Sequence, residues 1–339
     1  MPPRFSAIRD LLTSARERAV GRSPQTSKRL RLAGRPVELV LLADEGLLSW
    51  VAEPFVHLDD ESASDPVTLT IRVWAAEAAS GDLDMLEPDN EFGELIPSDD
   101  GRVLVYRLPG IVSMLDRDRG TLEVWIIDGS RLTSGERARP GQFLLTVWLA
   151  DHGIEVVHSG VVSHEGKGAL FAGMSGAGKS SSTMACVEAG LGFLGDDFIG
   201  IERCDGRLVA HSLFATCSLV PENLQRFPGL GDGSWVVKDD KTIVSIARLA
   251  PDQMVRIVPV HAVLLPRVTG SHGVDRAAPR DALLRLAPSS IVRRPVPAGR
   301  LLRVLRELAT EVPAWWIDCG SDSSQIATDV RSVLESRHE

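Results

Sequence analysis

Four cysteines, Cys186, Cys204, Cys217 and Cys319, are scattered along 339 residues. They show neither the paired spacing of a metal-binding knuckle nor the density of a disulfide scaffold, so reduced, structural thiols are expected. No apolar run approaches the ~20 residues of a membrane helix. The first residues, MPPRFSAIRDLLTSARERAVGR, lack an apolar secretory core, so no signal peptide is expected and they read as a solvated first helix. Internal repeats, heptads and low-complexity tracts are missing as well. An excess of basic residues is also lacking. The formal net charge is −9, which argues against general nucleic-acid binding. These absences lead to a cytoplasmic protein without nucleic-acid or membrane partners; a homo-oligomer stays open.

What is present is an ordinary globular composition, 44% hydrophobic and 24% charged, over a length suited to two domains. Charge is uneven along it. Residues 1–35 hold nine Arg/Lys against two acids, whereas residues 53–100 hold fourteen acids against Arg72 alone. The acidic stretch from 75 to 100 reads as a long surface loop. Strands are expected at 30–42, 67–74, 102–107 and 121–127, with a helix over 47–55. Together they make a small, mostly β or α+β N-terminal domain, 1–138, with no visible chemistry and a role in substrate or partner recognition. The Arg-Ala-Arg-Pro segment between Gly135 and Gly141 marks the boundary to a second domain, 139–339.

The second domain carries a specific motif. Gly173-Met-Ser-Gly-Ala-Gly178-Lys179-Ser180 fits the phosphate-binding pattern G-x-x-x-x-G-K-[ST] at every fixed position. Chance would place roughly 0.005 such matches in a chain of this composition. The context fits too, with a short apolar strand at 168–172 before the loop and a helix from Ser180 to Ala189 after it. In such a loop the amides of Ser175, Gly176, Ala177, Gly178, Lys179, Ser180 and Ser181 face phosphate oxygens. Lys179 reaches the β- and γ-phosphates, and the Ser180 hydroxyl ligates Mg²⁺. Asp196 and Asp197 follow after a helix, a glycine stop and a short strand. Neighbouring residues on a strand point to opposite faces, so both acids serve one site only if the strand ends or turns there.

The run Val157-His158-Ser-Gly-Val161, then GALFAGMSGAGKSSS, then LGDD, resembles the catalytic domain of the HPr kinase/phosphorylase family, which is related to phosphoenolpyruvate carboxykinases. The resemblance covers about fifty residues. It implies a two-domain α/β (α+β) protein whose C-terminal P-loop domain has a mixed sheet. It implies ATP and Mg²⁺ as cofactors, Lys179 and Ser180 at the phosphates and metal, Asp196 as general base, Asp197 as metal ligand and His158 as a further site residue. The family's later Glu-Arg-Gly signature is not recognisable after Asp197, which sets this chain apart from kinases of HPr itself. The expected reaction is transfer of the γ-phosphoryl group to a hydroxyl, first of all a serine in a small protein or peptide. The alternatives are a small-molecule phosphoryl transferase and a nucleotide-binding sensor that does not catalyse.

Further along, an Asp205-Gly206 turn predicts a hairpin ending near His211, a histidine read as structural. Gly229–Gly233 reads as a loop. Lys238, Lys241, Arg248 and Arg256 are interleaved with strands, and Lys241, at the head of the strand 242–246, is the first choice for a cation facing the phosphoryl group. Arg267, at the carboxyl end of a buried strand, is a second candidate for nucleotide contact. A leucine stripe, Leu301, Leu302, Leu305 and Leu308, predicts an amphipathic helix over 297–311.

Overall fold

The computed structural model describes residues 3–21, 23–42, 50–62, 64–228, 234–235, 241–291, 298–320 and 322–336. It divides the chain into two compact units, Met1–Trp148 and Leu149–Glu339. The division falls within the apolar helix Gln142–Asp151, ten residues later than the 138/139 boundary expected from composition.

In the first unit, seven strands form one mixed sheet. They are β1 (Gln25–Leu32), β2 (Arg35–Leu42), β3 (Leu69–Ala75), β4 (Glu94–Pro97), β5 (Val103–Leu108), β6 (Ile111–Asp116) and β7 (Thr121–Ile126), in the order β1-β2-β3-β7-β6-β5-β4. Helix α1 (Pro3–Val20) covers it. Expected as a solvated helix, α1 keeps one face in water and buries Phe5, Ile8, Leu12, Ala15 and Ala19 of the other in a core shared with Trp74 and Trp125. The spacing of these residues is that of one helical face, and the charged residues read from the sequence occupy the other. The acidic stretch 75–100 is also more ordered than expected. It contains a short helix, Leu83–Leu86, and β4, whose Glu94 meets the fully buried Arg107. Part of the helix expected at 47–55 lies outside the described residues, and Glu53–Leu58 is a 3-10 helix.

The second unit is built on a central strand, β17. In chain order its strands are β8 (Glu155–Val157), β9 (Gly160–His164), β10 (Lys167–Phe171), β11 (Gly192–Gly195), β12 (Ile199–Cys204), β13 (Arg207–Ser212), β14 (Thr216–Leu219), β15 (Ser234–Trp235), β16 (Thr242–Ser245), β17 (Ile257–Val268), β18 (Gly273–Arg276) and β19 (Ala314–Cys319). The main sheet runs β11-β9-β10-β17-β13-β12-β8, with β19 and β18 alongside β17, while β14, β16 and β15 form a separate small sheet. Among the described strand pairings of the large sheet, those of β17 with β10 and β19 are parallel and the rest antiparallel, which makes it mixed.

Helices cover both faces. The helix following the glycine loop, α2 (Lys179–Glu188), and the last helix, α5 (Ser323–Glu335), share one core, whereas α3 (Pro279–Ile291) and α4 (Gly299–Glu311) share the other. That explains why Ala262, Val263, Leu264 and Leu265 of β17 are apolar without alternation: each face meets a core. On α4 the buried stripe is Leu301, Val304, Leu305 and Leu308; Leu302 lies off it and is 45% exposed. Tight turns hold the register. Glu165-Gly166 joins β9 to β10 and Asp205-Gly206 joins β12 to β13, each with both residues at positive φ as a two-residue hairpin turn demands. No described helix is long and apolar enough to cross a membrane.

The packing of α1 is directly testable. Leu12→Ala should destabilise the first unit by about 2–5 kcal/mol, read as a lower urea midpoint, while the exposed Arg18→Ala should change it by less than about 0.5 kcal/mol. Equal effects from the two would show that α1 is not part of the core.

Candidate functional site

The phosphate-loop pattern is set by where β10 stops. Its parallel pairing with β17 ends at Phe171↔Leu264, and one last bond runs from the Ala172 amide to the Leu264 carbonyl at 2.8 Å. The chain then turns back on itself. A Cβ on Gly173 would sit 2.8 Å from the Ala177 Cβ, so this turn admits only glycine. Gly176 and Gly178 have φ of 81° and 95°, a region costly for any residue with a Cβ. α2 starts at Lys179 with Gly178 as an N-cap that has no side chain to offer, so no N-cap side chain occupies the amides of its first turn. Amides of this kind, with the helix dipole behind them, favour an anion.

Lys179 is 5% exposed, and its ammonium donates to the carbonyls of Gly173 (2.8 Å) and Met174 (3.1 Å). Ser175 and Gly176 are exposed at the tip, with Ala177, Gly178, Ser180 and Ser181 half-buried behind them.

The two aspartates reach one place because the chain turns there. β11 ends at Gly195, Asp197 takes a left-handed φ of 69°, and the Phe198 amide donates to the Asp196 carbonyl at 3.0 Å. A non-glycine residue in that region stores strain of about 1–3 kcal/mol, which the surrounding packing must hold.

Their environments differ. Asp196 is 1% exposed; its Oδ2 accepts from the Cys217 thiol at 3.1 Å, and its buried Oδ1 has no hydrogen bond of normal geometry. Burial first, and then the neighbouring Asp197 charge, push its pKa up to about 6, against the pull of the Cys217 thiol, the Ser180 hydroxyl and the Lys179 ammonium. Asp197 keeps some access to solvent and lies 3.7 Å from His158 Nε2. The phosphate-loop groups and both carboxylates therefore belong to one cluster.

Several supporting residues were not legible as such. Gly160 looks like a plain strand residue, yet a Cβ there would fall 2.2 Å from Thr183 Oγ1 and 3.3 Å from Asp196 Oδ1, so its bareness lets α2 and Asp196 meet. Cys217, read as a structural thiol, is the hydrogen-bond donor to Asp196. Ser289 and Ser290, late in α3, donate to the Gly173 carbonyl (3.5 Å) and accept from the His158 amide (3.1 Å) respectively. No sequence signal marks these contacts: the serine contacts join segments over a hundred residues apart, and those of Gly160 and Cys217 join separate elements that only the fold brings together.

Other sequence expectations fare differently. His158 sits in a bend between β8 and β9, where the chain leaves β12 for β10 as its partner. Its ring stands edge-on to Phe198. Lys241 is exposed just before β16, whose partner β14 carries Cys217; among the described residues, no hydrogen bond or ion pair of the lysine reaches the cluster. Arg267 is engaged elsewhere: it donates to Asp318 at 2.7 Å and Asp275 at 3.2 Å and lies over the Trp316 ring. Strand alternation accounts for this, because its neighbours Pro266 and Val268 are the ones that flank Gly178. Arg248 and Arg256 are exposed, while Lys238 and the loop Gly229–Gly233 fall outside the described residues.

The buried carboxylate has a pH signature in the protein without metal or nucleotide. The folded-state pKa of Asp196 lies above the ordinary 3.8, so its favourable share is complete below about pH 4 and is lost as pH rises through about 6. Relative to wild type, Asp196→Asn should therefore gain on the order of 1–3 kcal/mol of stability between pH 4 and pH 7. A gap between the two proteins that does not change with pH would contradict the burial of this charge.

No protein-family model matches the chain, and no curated protein sequence matches it. Among solved structures it is similar to the Hpr(Ser) kinase/phosphatase from Coxiella burnetii, at 13% sequence identity, with 53% of this chain and 93% of that chain covered and a TM-score of 0.28. The likeness is distant, and the function has to be read from the chain's own geometry.

Proposed function

We propose that the protein is an ATP- and Mg²⁺-dependent kinase that transfers the γ-phosphoryl group to a hydroxyl, most directly a serine of a small protein or peptide. The observation that carries this reading is the meeting of Asp196 with Ser180 and Lys179 of the phosphate loop, with Asp197 and His158 beside it. A phosphate cradle alone binds nucleotide. A cradle joined to two carboxylates in different surroundings has what phosphoryl transfer needs, a place for metal and a place for a proton.

The donor set fits the cofactors. Uncapped amides and Lys179 suit the phosphates, and the hydroxyl and carboxylate oxygens suit a hard cation such as Mg²⁺. When bound, the ion neutralises charge on the β- and γ-phosphates.

The roles of the two acids follow from depth and run opposite to the sequence expectation. Asp196, almost wholly buried against Ser180, suits the metal side, since a carboxylate held there gains most from a cation. Asp197, partly open and paired with His158, suits the acceptor side. It takes the proton of the acceptor O–H as that oxygen bonds to the γ-phosphorus, and the bond from the γ-phosphorus to its bridging oxygen breaks to release ADP. His158 orients Asp197. A serine in a peptide or small protein is the first acceptor on the resemblance to HPr kinases; the missing HPr-docking signature points away from HPr.

Turnover of labelled ATP tests the proposal. Asp197→Asn should keep nucleotide binding and lose about 10²–10⁴-fold in rate, as loss of a proton acceptor does. Asp196→Asn should weaken the Mg²⁺ dependence of nucleotide binding itself. Tight ATP binding with no turnover toward any serine peptide, small protein or metabolite would replace the kinase by a nucleotide-binding sensor. Phosphate gained by metabolites alone would remove the peptide part of the reading.

A further inference from the structure

The hairpin that leaves the aspartate pair carries chemistry that phosphoryl transfer does not use. In the β12–β13 ladder, Gly200 lies opposite His211, and Glu202 lies opposite Val209. Glu202 is thus the diagonal neighbour of His211 on one face, and Cys204, two residues on, shares that face. The other face is accounted for. Ile199, Ile201, Leu208 and Ala210 enter the core under α3 and α4, and Arg203 pairs with Glu307 and Glu311 of α4.

On the first face the imidazole Nε2 of His211 and the Glu202 carboxylate are 3.2 Å apart, and these two and the Cys204 sulfur all lie within 4.8 Å of one another. His211 is buried, while Glu202 and Cys204 are half-exposed. Beyond Ile201, β12 has no pairing to β8, so the carboxylate and thiol stand at an open end of the sheet.

We infer that Glu202, Cys204 and His211 form a binding site for a divalent transition metal, with zinc the best match. Ligands at ~2.0–2.3 Å around a tetrahedral zinc stand roughly 3.3–3.8 Å apart, so the observed spread closes onto an ion by small side-chain rotations. One nitrogen, one sulfur and one oxygen donor form a set that zinc, cobalt or nickel accepts and that Mg²⁺ or Ca²⁺, which take oxygen ligands, does not. The half-exposed side leaves room for water as the fourth ligand. Binding displaces the thiol proton, so affinity rises with pH. None of the three residues belongs to the phosphate loop or the aspartate pair. The ion ties the two strands of the hairpin together, and the first of these strands begins at Ile199, with only Phe198 between it and Asp197.

The test uses the full chain, stripped of metal, reduced, and held in excess Mg²⁺ so that hard oxygen sites are filled. Cobalt should bind with a stoichiometry of one and produce the near-ultraviolet charge-transfer absorption of a thiolate–cobalt bond, and zinc should displace it. Zinc should also raise the melting temperature in a concentration-dependent way. Cys204→Ser should abolish the charge-transfer band, and His211→Ala should lower zinc affinity by more than the ~10–100-fold that loss of a merely supporting residue costs. Cys319→Ser should leave the band in place. Because Cys204 and Glu202 are half-exposed, Cys204→Ser and Glu202→Gln keep the test valid even where His211→Ala fails to fold. A band that survives in Cys204→Ser, or zinc binding unchanged in both Cys204→Ser and Glu202→Gln, would overturn the site and leave a histidine–carboxylate pair beside a bystander thiol.

Discussion

The parallel pairing of β10 with β17 governs the second unit. It sets the residue at which the ladder runs out, Ala172, and so the point at which the chain must become a loop. β17 is sealed by helices on both faces, so its register cannot slip without exposing apolar residues. The same strand holds β19 and β13. The phosphate loop, the hairpin after the aspartates and the paired Arg267 therefore all take their positions from one strand.

Electrostatics adds the second constraint. A carboxylate as buried as Asp196 is costly to ionise, and the fold does not fully relieve that cost with Cys217, Ser180 and Lys179. A buried carboxylate left under-compensated in this way is the kind of perturbed group that collects at functional sites. Asp197 adds a local cost of its own, since its left-handed backbone stores strain that the surrounding packing must hold.

Much of the local structure was legible. The glycine pattern at 173–178 dictates positive φ and close approach, and both occur. Asp205-Gly206 dictates a hairpin turn, and the leucine spacing of α4 dictates its buried face apart from Leu302. The misreadings share a cause. α1 carries many charges, but the phase of its apolar residues puts one face in the core, and the strand within 75–100 forms only against β5, supplied by residues further on. At the candidate site, Gly160, Cys217 and the two serines of α3 carry no pattern of their own; their meaning lies in what they touch.

By itself, then, the sequence determined those features whose physical cause sits within a few residues: the phosphate loop with its helix, the tight turns, the apolar phase of helices and strands, and the arrival of two acids after a glycine stop. Tertiary structure alone decided which acid lies deep and which faces His158, that Arg267 is held by two carboxylates, and that Glu202, Cys204 and His211 share one face of a hairpin. The reason is that backbone conformation follows from local sterics, whereas burial and the meeting of charges follow from register between distant strands. That register is chosen by the whole core at once.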